Sequence, residues 1–222
     1  TTWDKVATGR TPILIKDDDT MWSWGVNDKG QVGGGSVVYR SSPVQVGSAT
    51  LWSDGGLTGS GSLGIFTNGK LYQWGSGRGS ATGTFYPAAK SSSPVQIGSL
   101  TTWSKLSVGS NNGNSIKTDG TMWTWGYNTR GQIGDNSTVN RSSPVQVGDQ
   151  TDWSILAGTV GSSMTAAIKT DGTLWVWGFN HQGQLGLGDV VYRSSPTQVG
   201  SKKWGAVSCC GSDNIMMIAA AD

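Results

Sequence analysis

Residues of the types that support chemistry are few and isolated in this sequence. The run Asp17-Asp18-Asp19 could offer oxygen atoms to a cation, but a calcium loop spreads its ligands over about twelve residues and closes with a Glu, which is missing here. His181 is the only histidine, and no acid or nucleophile elbow accompanies it as a catalytic set requires. Gly77-Arg78-Gly79 lacks the Lys, Ser or Thr of a phosphate loop. We therefore predict a non-enzymatic protein that uses no metal and no cofactor.

The two cysteines and the charge distribution also exclude several classes of site. Cys209 and Cys210 are adjacent, so they could form only a strained disulfide, and a metal site would need more ligands than His181 supplies. We interpret them as small, buried strand residues. The formal charge is only +2, with acids and bases interspersed, which favours neither nucleic acid nor an anionic membrane as a partner. No apolar run approaches a membrane span, and the sequence opens without Met or a signal-like segment, so we expect a soluble excerpt or processed product.

Two near-identical segments of the sequence predict the secondary structure of the chain. Lys117 to Tyr127 has the sequence KTDGTMWTWGY, and Lys169 to Phe179 has KTDGTLWVWGF. Asp-Gly favours a two-residue turn with positive φ, so each phrase predicts a hairpin followed by a strand whose two tryptophans leave one face. Degraded copies lie at residues 18–25 and 67–75. Short strands, not helices, are therefore expected throughout.

A repeat of about fifty residues organises the whole chain. The unit-opening tryptophans recur at intervals of 49, 51, 50 and 51 residues, and a Pro-x-Gln-Val/Ile-Gly phrase keeps the same period. Each unit offers four short strands, which predicts the blade of an all-β propeller. We assign blades to residues 1–49, 50–100, 101–150 and 151–201, with a partial blade at 202–222, and we expect the second to be irregular. The tryptophans predicted to be buried between blades are Trp24, Trp74, Trp125 and Trp177.

The partial blade leaves two strands over. Ala206 to Cys210 and Ile215 to Ile218 should pair, and a ring of four blades would leave them with a bare, apolar edge. We predict an arc of a larger ring, or completion by further segments or by a second copy of the chain. The candidate assembly edge consists of Ile215, Met216, Met217 and Ile218.

The loop ahead of each proline strand carries aromatic and basic residues of the kind that interfaces favour. The alternative is that the arginines, at equal places in three blades, bond a neighbouring blade. The candidate partner-binding residues are Tyr39, Arg40, Phe85, Tyr86, Lys90, Arg141, Tyr192 and Arg193.

The phrase DGTLWVWGFNHQGQLGLGD at residues 171–189 resembles the regulator of chromosome condensation repeat, with its DG turn, W-G strand end and N-x-x-G-Q-L-G loop. The resemblance spans essentially the whole chain and is weakest in the second unit. It implies a β-propeller, usually of seven blades, whose faces bind proteins. The histidine that the family carries shortly before the DG turn is absent, and Ser162-Ser163-Met164 lies near that place in the fourth unit.

The expected function is that of a protein-binding or structural module on a virion or cell surface. The near-identical blades resemble repeats of bacterial, phage and environmental proteins. Exchange activity, which the family's founding member has on a small GTPase, is not carried over, because a fold does not imply a function. The alternatives are a regulator of that exchange type, a carbohydrate-binding propeller and an enzyme-inhibitor propeller. The tryptophans could stack on sugars, although their blade spacing favours a core.

Overall fold

Short strands joined by tight turns make up the described part of the chain, which contains no helix. The computed structural model describes residues 2–7, 11–57, 61–76, 91–109, 112–157, 163–210 and 215–220, without the side chains of residues 4, 6, 7, 208–210 and 215–220. The strands of the first two blades are β1 Trp3–Ala7, β2 Ile13–Lys16, β3 Met21–Gly25, β4 Arg40–Gln45, β5 Trp52–Leu57, β6 Gly61–Phe66, β7 Leu71–Gly75 and β8 Ser91–Gln96. The others are β9 Trp103–Val108, β10 Asn112–Lys117, β11 Met122–Gly126, β12 Arg141–Gln146, β13 Trp153–Leu156, β14 Met164–Lys169, β15 Thr173–Gly178, β16 Arg193–Cys210 and β17 Ile215–Ala220.

The strands form four antiparallel sheets in simple up-and-down order, which confirms the predicted propeller class. The first three sheets have the orders β1-β2-β3-β4, β5-β6-β7-β8 and β12-β11-β10-β9. The opening strands of consecutive sheets contact one another, so these strands lie on the inside of the array. In these three sheets the strand that contains the proline lies at the opposite edge, as expected for a residue that cannot donate a ladder hydrogen bond.

Consecutive side-chain hydrogen bonds connect the DG turn to the strand that follows it. Asp119 Oδ1 accepts hydrogen bonds from Thr121 N at 3.0 Å and Thr121 Oγ1 at 2.6 Å, and Trp123 Nε1 donates to that hydroxyl at 2.9 Å. Asp18 and Asp171 make the same contacts in their blades. Where the first blade lacks the glycine, Asp19 adopts the required positive φ of 58°.

The turn also joins each blade to the next. The backbone N–H of Trp103 donates to the Gly69 carbonyl at 3.2 Å, and that of Trp153 donates to the Gly120 carbonyl at 3.1 Å. The opening tryptophans of the second blade and of the partial blade make the equivalent bond. The recurring tryptophan therefore marks the place where a new blade is fastened to the turn of the previous one.

Apolar side chains of adjacent sheets interlock at each junction. Between the third and fourth blades, Trp153 and Trp177 pack on residues of β10 and β11, including Ile116 and Met122. The same arrangement fills the two earlier junctions. Trp74, Trp125 and Trp177 are buried as predicted, but Trp24 is only half-buried. Trp24 departs from that prediction because the other three tryptophans pack against a preceding blade, whereas the described residues include no blade ahead of the first.

The strands of the predicted partial blade, the end of β16 and β17, form a hairpin that covers the fourth blade. β16 pairs with β15 as far as Lys203 and with β17 from Trp204 onwards. Three residues separate Gly200 from Trp204, whereas four separate the equivalent residues of the earlier blades, and here a single strand crosses from one blade to the next. Val207 completes the cluster formed by Met164, Ile168 and their neighbours.

Candidate functional site

The loops between the third and fourth strands form the candidate binding surface. We call residues 26–39, 127–140 and 179–192 the rim loops of blades one, three and four. Each is built around a buried asparagine. Asn128 Oδ1 accepts the Ile133 N–H at 2.9 Å, while its Nδ2 donates to the carbonyls of Ser137 and Val139 at 3.0 and 3.1 Å. Asn27 and Asn180 make matching contacts, so the three loops share one rigid frame.

The predicted binding arginines fasten these loops. Arg141 makes a two-point ion pair with Asp135, at 2.6 Å from Nε and 2.5 Å from Nη2. Burial acts to raise the pKa of Asp135, but hydrogen bonds from Ser137 and Arg141 outweigh it and leave the pKa lowered. Arg193 pairs with Asp189 at 2.6 Å. Among the described residues, the side-chain hydrogen bonds of both arginines go to their own rim loop.

Arg40 is the exception in this set. Its Nη2 donates to Ser36 Oγ at 3.0 Å, and Gly34 occupies the place of the aspartate that pairs with Arg141. Among the ion pairs of the described residues, none includes Arg40. The first rim loop thus keeps the arginine without its carboxylate.

Apolar residues at the end of each rim loop point to solvent. Tyr39 is 62% exposed and Tyr192 is 41% exposed, and valines flank both. The loop of the third blade exposes a single valine at this place. The exposed set is Val37, Val38, Tyr39, Val139, Val190, Val191 and Tyr192. Phe85, Tyr86 and Lys90, predicted to take part, lie outside the described residues.

The rim loops of blades one and three are also fixed to the following blade, a contact that was not predicted from the sequence. The Gln132 carbonyl accepts hydrogen bonds from Trp177 Nε1 at 3.0 Å and Thr165 Oγ1 at 2.8 Å. Gln31 receives the equivalent bonds from Trp74 and Ser62. The repeated Gly-Gln pair was the available signal, since a motif kept in three loops implies a shared contact.

A cluster of aromatic and basic side chains lies where the third and fourth blades meet. The Arg130 guanidinium carbon is 4.2 Å from the Phe179 ring centroid, and Nη1 donates to Tyr192 Oη at 3.1 Å. Phe179 lies 5.1 Å from Tyr192 and stacks on His181 at 6.2 Å, with 8° between the planes. We call these four residues the junction cluster. Arg130 and Phe179 were missed because both lie near the start of their rim loops, whereas the prediction considered only residues just ahead of the proline strand.

Lysines held over tryptophans account for the remaining aromatic surface. Lys117 Nζ lies 3.6 Å from the Trp123 ring centroid and 4.9 Å from that of Trp103. Burial lowers the pKa of Lys117 against the attraction of Asp119. Lys16 and Lys169 form similar stacks in their blades, so these rings are occupied by the protein's own cations.

The candidate assembly edge lies at the end of the fourth sheet. Residues 215–218 lie in β17, which pairs on one side with β16 and ends the strand order of its sheet. Their side chains are outside the described part. Within the described residues, no group of three or more His, Cys, Asp or Glu could hold a metal ion. The same residues include no helix with the length and hydropathy to cross a membrane.

Comparison with known proteins identifies the repeat. The model of the regulator of chromosome condensation (RCC1) repeat matches residues 119–168 and 171–218. The ultraviolet-B receptor UVR8 of Arabidopsis thaliana is 27% identical over 214 residues, which is 89% of this chain and 46% of the receptor. Human RCC2 is 34% identical over 87 residues, or 38% of this chain and 16% of RCC2.

Solved structures show the same fold. Human WBSCR16 superposes with a TM-score of 0.86 at 20% identity, covering 99% of this chain and 58% of that one. Yeast RCC1 (Prp20) gives a TM-score of 0.80 at 15% identity, covering 99% and 54%. The chain spans about half the length of UVR8 and of these two structures. Two RCC1 repeats are thus matched within residues 119–218, and the solved structures share the propeller fold of the whole chain.

Proposed function

We propose that the chain is a non-enzymatic module that binds other proteins through the exposed ends of its rim loops. The observation that carries the proposal is the repeated exposure of tyrosine and valine on loops that a buried asparagine holds in shape. Tyr39 and Tyr192 are open to solvent, and tyrosine is enriched at protein interfaces.

The rigidity of the loops supports this function. Asn27 and Asn180 bond both ends of their loops, and the Gln31 carbonyl ties the first loop to the next blade. Ordering flexible segments opposes association, so a surface that is already ordered binds at a lower entropic cost. A partner that spans several blades would meet an exposed valine at the same place in blades one, three and four, namely Val38, Val139 and Val191.

We place this module on a virion or cell surface, among propellers of the bacterial, phage and environmental type. The support is the near-identical Arg-Ser-Ser-Pro-Val-Gln-Val-Gly phrase of the first and third blades. Immunogold labelling of the source particles or cells tests the location, and label confined to the cell interior would contradict it.

Selection of protein fragments on the immobilised chain tests binding by the rim. Fragments displayed on phage should be enriched, and Tyr39→Ser combined with Val190→Ser should abolish their binding. Leu100→Ser is the control, because Leu100 is 48% exposed but lies in the linker between blades two and three. Fragments that bind the double variant as well as the parent would overturn the proposal.

A second candidate is regulation of a small GTPase. It is favoured by the likeness to Prp20p, whose structure is described together with its binding properties to Gsp1p and histones. Catalytic amounts of the chain should leave the release of labelled GDP from a panel of small GTPases unchanged if the module only binds. Acceleration of release from any of them would establish the exchange function instead.

A further inference from the structure

We propose that the junction cluster binds an acidic peptide segment in which a carboxylate stands beside an apolar side chain. This inference rests on the proposed protein-binding function and names the partner chemistry of one part of the rim. Its residues are Arg130, Phe179, His181 and Tyr192, with Val190 and Val191 adjacent in the sequence.

Some arginines make the same contact in more than one blade, whereas Arg130 makes a contact that differs from those of its equivalents. Arg141 and Arg193 recur because each closes its own loop. Arg130 occupies the position of Lys29 and Gln182, and neither of those has an aromatic partner in the described residues. Among the described residues, the contact of an arginine with two aromatic rings of the next blade is therefore specific to the junction of blades three and four.

The charge of Arg130 is also uncompensated, unlike that of its equivalent. Lys29 pairs with the adjacent Asp28 at 2.6 Å, whereas Thr129 precedes Arg130. No ion pair among the described residues includes Arg130. A partly buried cation without a carboxylate favours an anionic partner, since a charge-assisted bond would replace water at that site.

The geometry leaves the guanidinium able to take a carboxylate. One flat face covers Phe179, and Nη1 donates to Tyr192 Oη. The structure gives the Arg130 side chain no other hydrogen bond among the described residues, so the rest of its planar donor edge is available. Arginine held in this way binds carboxylate oxygens through paired donors, which a lysine cannot do.

Hydrogen bonds of the third rim loop hold the junction cluster in place, and two exposed valines lie beside it. The Arg130 N–H donates to Gln132 Oε1 at 2.9 Å, and the Asn136 N–H donates to the Ser194 carbonyl at 2.8 Å, which ties the third rim loop to β16. Val190 and Val191 are 62% and 59% exposed beside Tyr192. An aliphatic or aromatic side chain next to the carboxylate would cover them.

A peptide fits this surface better than an acidic sugar. Sugars are bound by amide and carboxylate side chains that pair with their hydroxyls. Here the Asn180 amide is already bonded to Asp189, Val191 and Leu185, and the Asp189 carboxylate is bonded to Arg193. The exposed valines offer contacts that a sugar does not use.

Fluorescence anisotropy with a labelled peptide of alternating Asp and Leu tests the proposal. A matched peptide of alternating Asn and Leu and a galacturonate oligosaccharide serve as competitors. The Asp peptide should bind the full chain, and Arg130→Gln should weaken binding about tenfold or more, as expected for loss of a charge-assisted bond. Arg130→Lys, which keeps the charge, should also weaken it. Lys29→Gln, at the equivalent place in the first blade, should have no effect.

Three outcomes would overturn the proposal: no binding of the Asp peptide, equal binding of the Asn peptide, or unchanged binding by Arg130→Gln in a chain that melts like the parent. Displacement by galacturonate at lower concentration than by the Asp peptide would replace it with a sugar site. If selected protein fragments tolerate Arg130→Gln but not Tyr39→Ser with Val190→Ser, the rim binds proteins and only the cluster proposal fails.

Discussion

Residues at one repeat position differ in environment according to the blade that precedes them. Trp125 has no exposed surface, because the second blade covers it, whereas Trp24 is half-buried. Identical residue types therefore contribute unequally to stability, and position in the array decides how much.

Replacement of these two tryptophans tests this difference. Trp125→Ala should lower the free energy of unfolding by about 3–5 kcal/mol, because it removes a large buried side chain and leaves a cavity. Trp24→Ala should lower it clearly less. Urea titration followed by circular dichroism measures both, and equal losses would contradict the inter-blade assignment.

Asp54 is a second residue whose environment could not be deduced from its type. Its Oδ2 accepts the Leu106 N–H of the next blade at 2.9 Å. Burial raises the pKa of its carboxyl above the ordinary value of 3.8, against the hydrogen bonds from Leu106 and Gly55 and the attraction of Lys5. The folded chain therefore holds this proton more tightly than the unfolded chain does.

The pH dependence follows from that direction. The stabilising contribution of protonated Asp54 is present below the unfolded pKa and is lost as the pH rises through the raised folded pKa. Asp54→Asn keeps an acceptor for Leu106 but does not titrate. In urea titrations, the unfolding free energy of Asp54→Asn relative to the parent should therefore rise as the pH increases above 3.8, the ordinary pKa of the carboxyl. A difference that stays constant would show that the pKa of Asp54 is not raised.

At the scale of elements, the turns both reverse the chain and join the blades. Gly120 has a φ of +77°, and a Cβ at this position would lie 2.0 Å from the Thr151 carbonyl oxygen in the linker to the fourth blade. Gly98 has a φ of +60° and no heavy atom within 4 Å of such a Cβ. Substitution of Gly98 would therefore introduce backbone strain alone, whereas substitution of Gly120 would add a clash with the linker to the next blade.

Replacement of each glycine by alanine measures the cost of the backbone strain and of the clash with the linker. Gly98→Ala should destabilise the chain by about 1–2 kcal/mol, the cost of a left-handed conformation for a residue with a Cβ. Gly120→Ala should cost more, because the methyl group also displaces the linker. Chemical unfolding of the two variants compares them, and a smaller loss for Gly120→Ala would show that the turn is not fastened to the fourth blade.

At the scale of the whole molecule, the two ends of the array are unlike. The hairpin of β16 and β17 covers the apolar side of the fourth blade, where Ile168 and Leu174 are buried. Trp3 of the first blade is 44% exposed, although its equivalent Trp52 is 1% exposed. We propose that the four blades are an arc of a larger ring and that another blade or a second copy covers the side carrying Trp3 and Trp24.

Self-association tests that proposal. The chain of residues 1–222 should form oligomers whose mass, measured by light scattering, rises with concentration, because an exposed apolar sheet side favours a partner. Trp3→Lys should reduce the associated fraction, while Leu100→Lys, a charge placed in an exposed linker, should not. A strictly monomeric parent would contradict the proposal, and unchanged association of Trp3→Lys would direct attention to β17 with Ile215 to Ile218.

The sequence alone determined the propeller, because its signals are local and repeated. Asp119-Gly120 specifies a turn through backbone geometry, and Trp123 and Trp125 share a face because a strand has a period of two. The fifty-residue period then predicts how many sheets form, and the structure confirms that architecture.

Tertiary structure decided what each repeated residue does. Trp24 is half-buried because no blade among the described residues packs against its side of the first sheet, and Arg141 closes its own loop because Asp135 lies within reach after the loop has folded. The junction of Arg130 with Tyr192 joins residues 62 positions apart in different blades. Local sequence cannot encode such pairs, because their contact depends on how consecutive sheets stack.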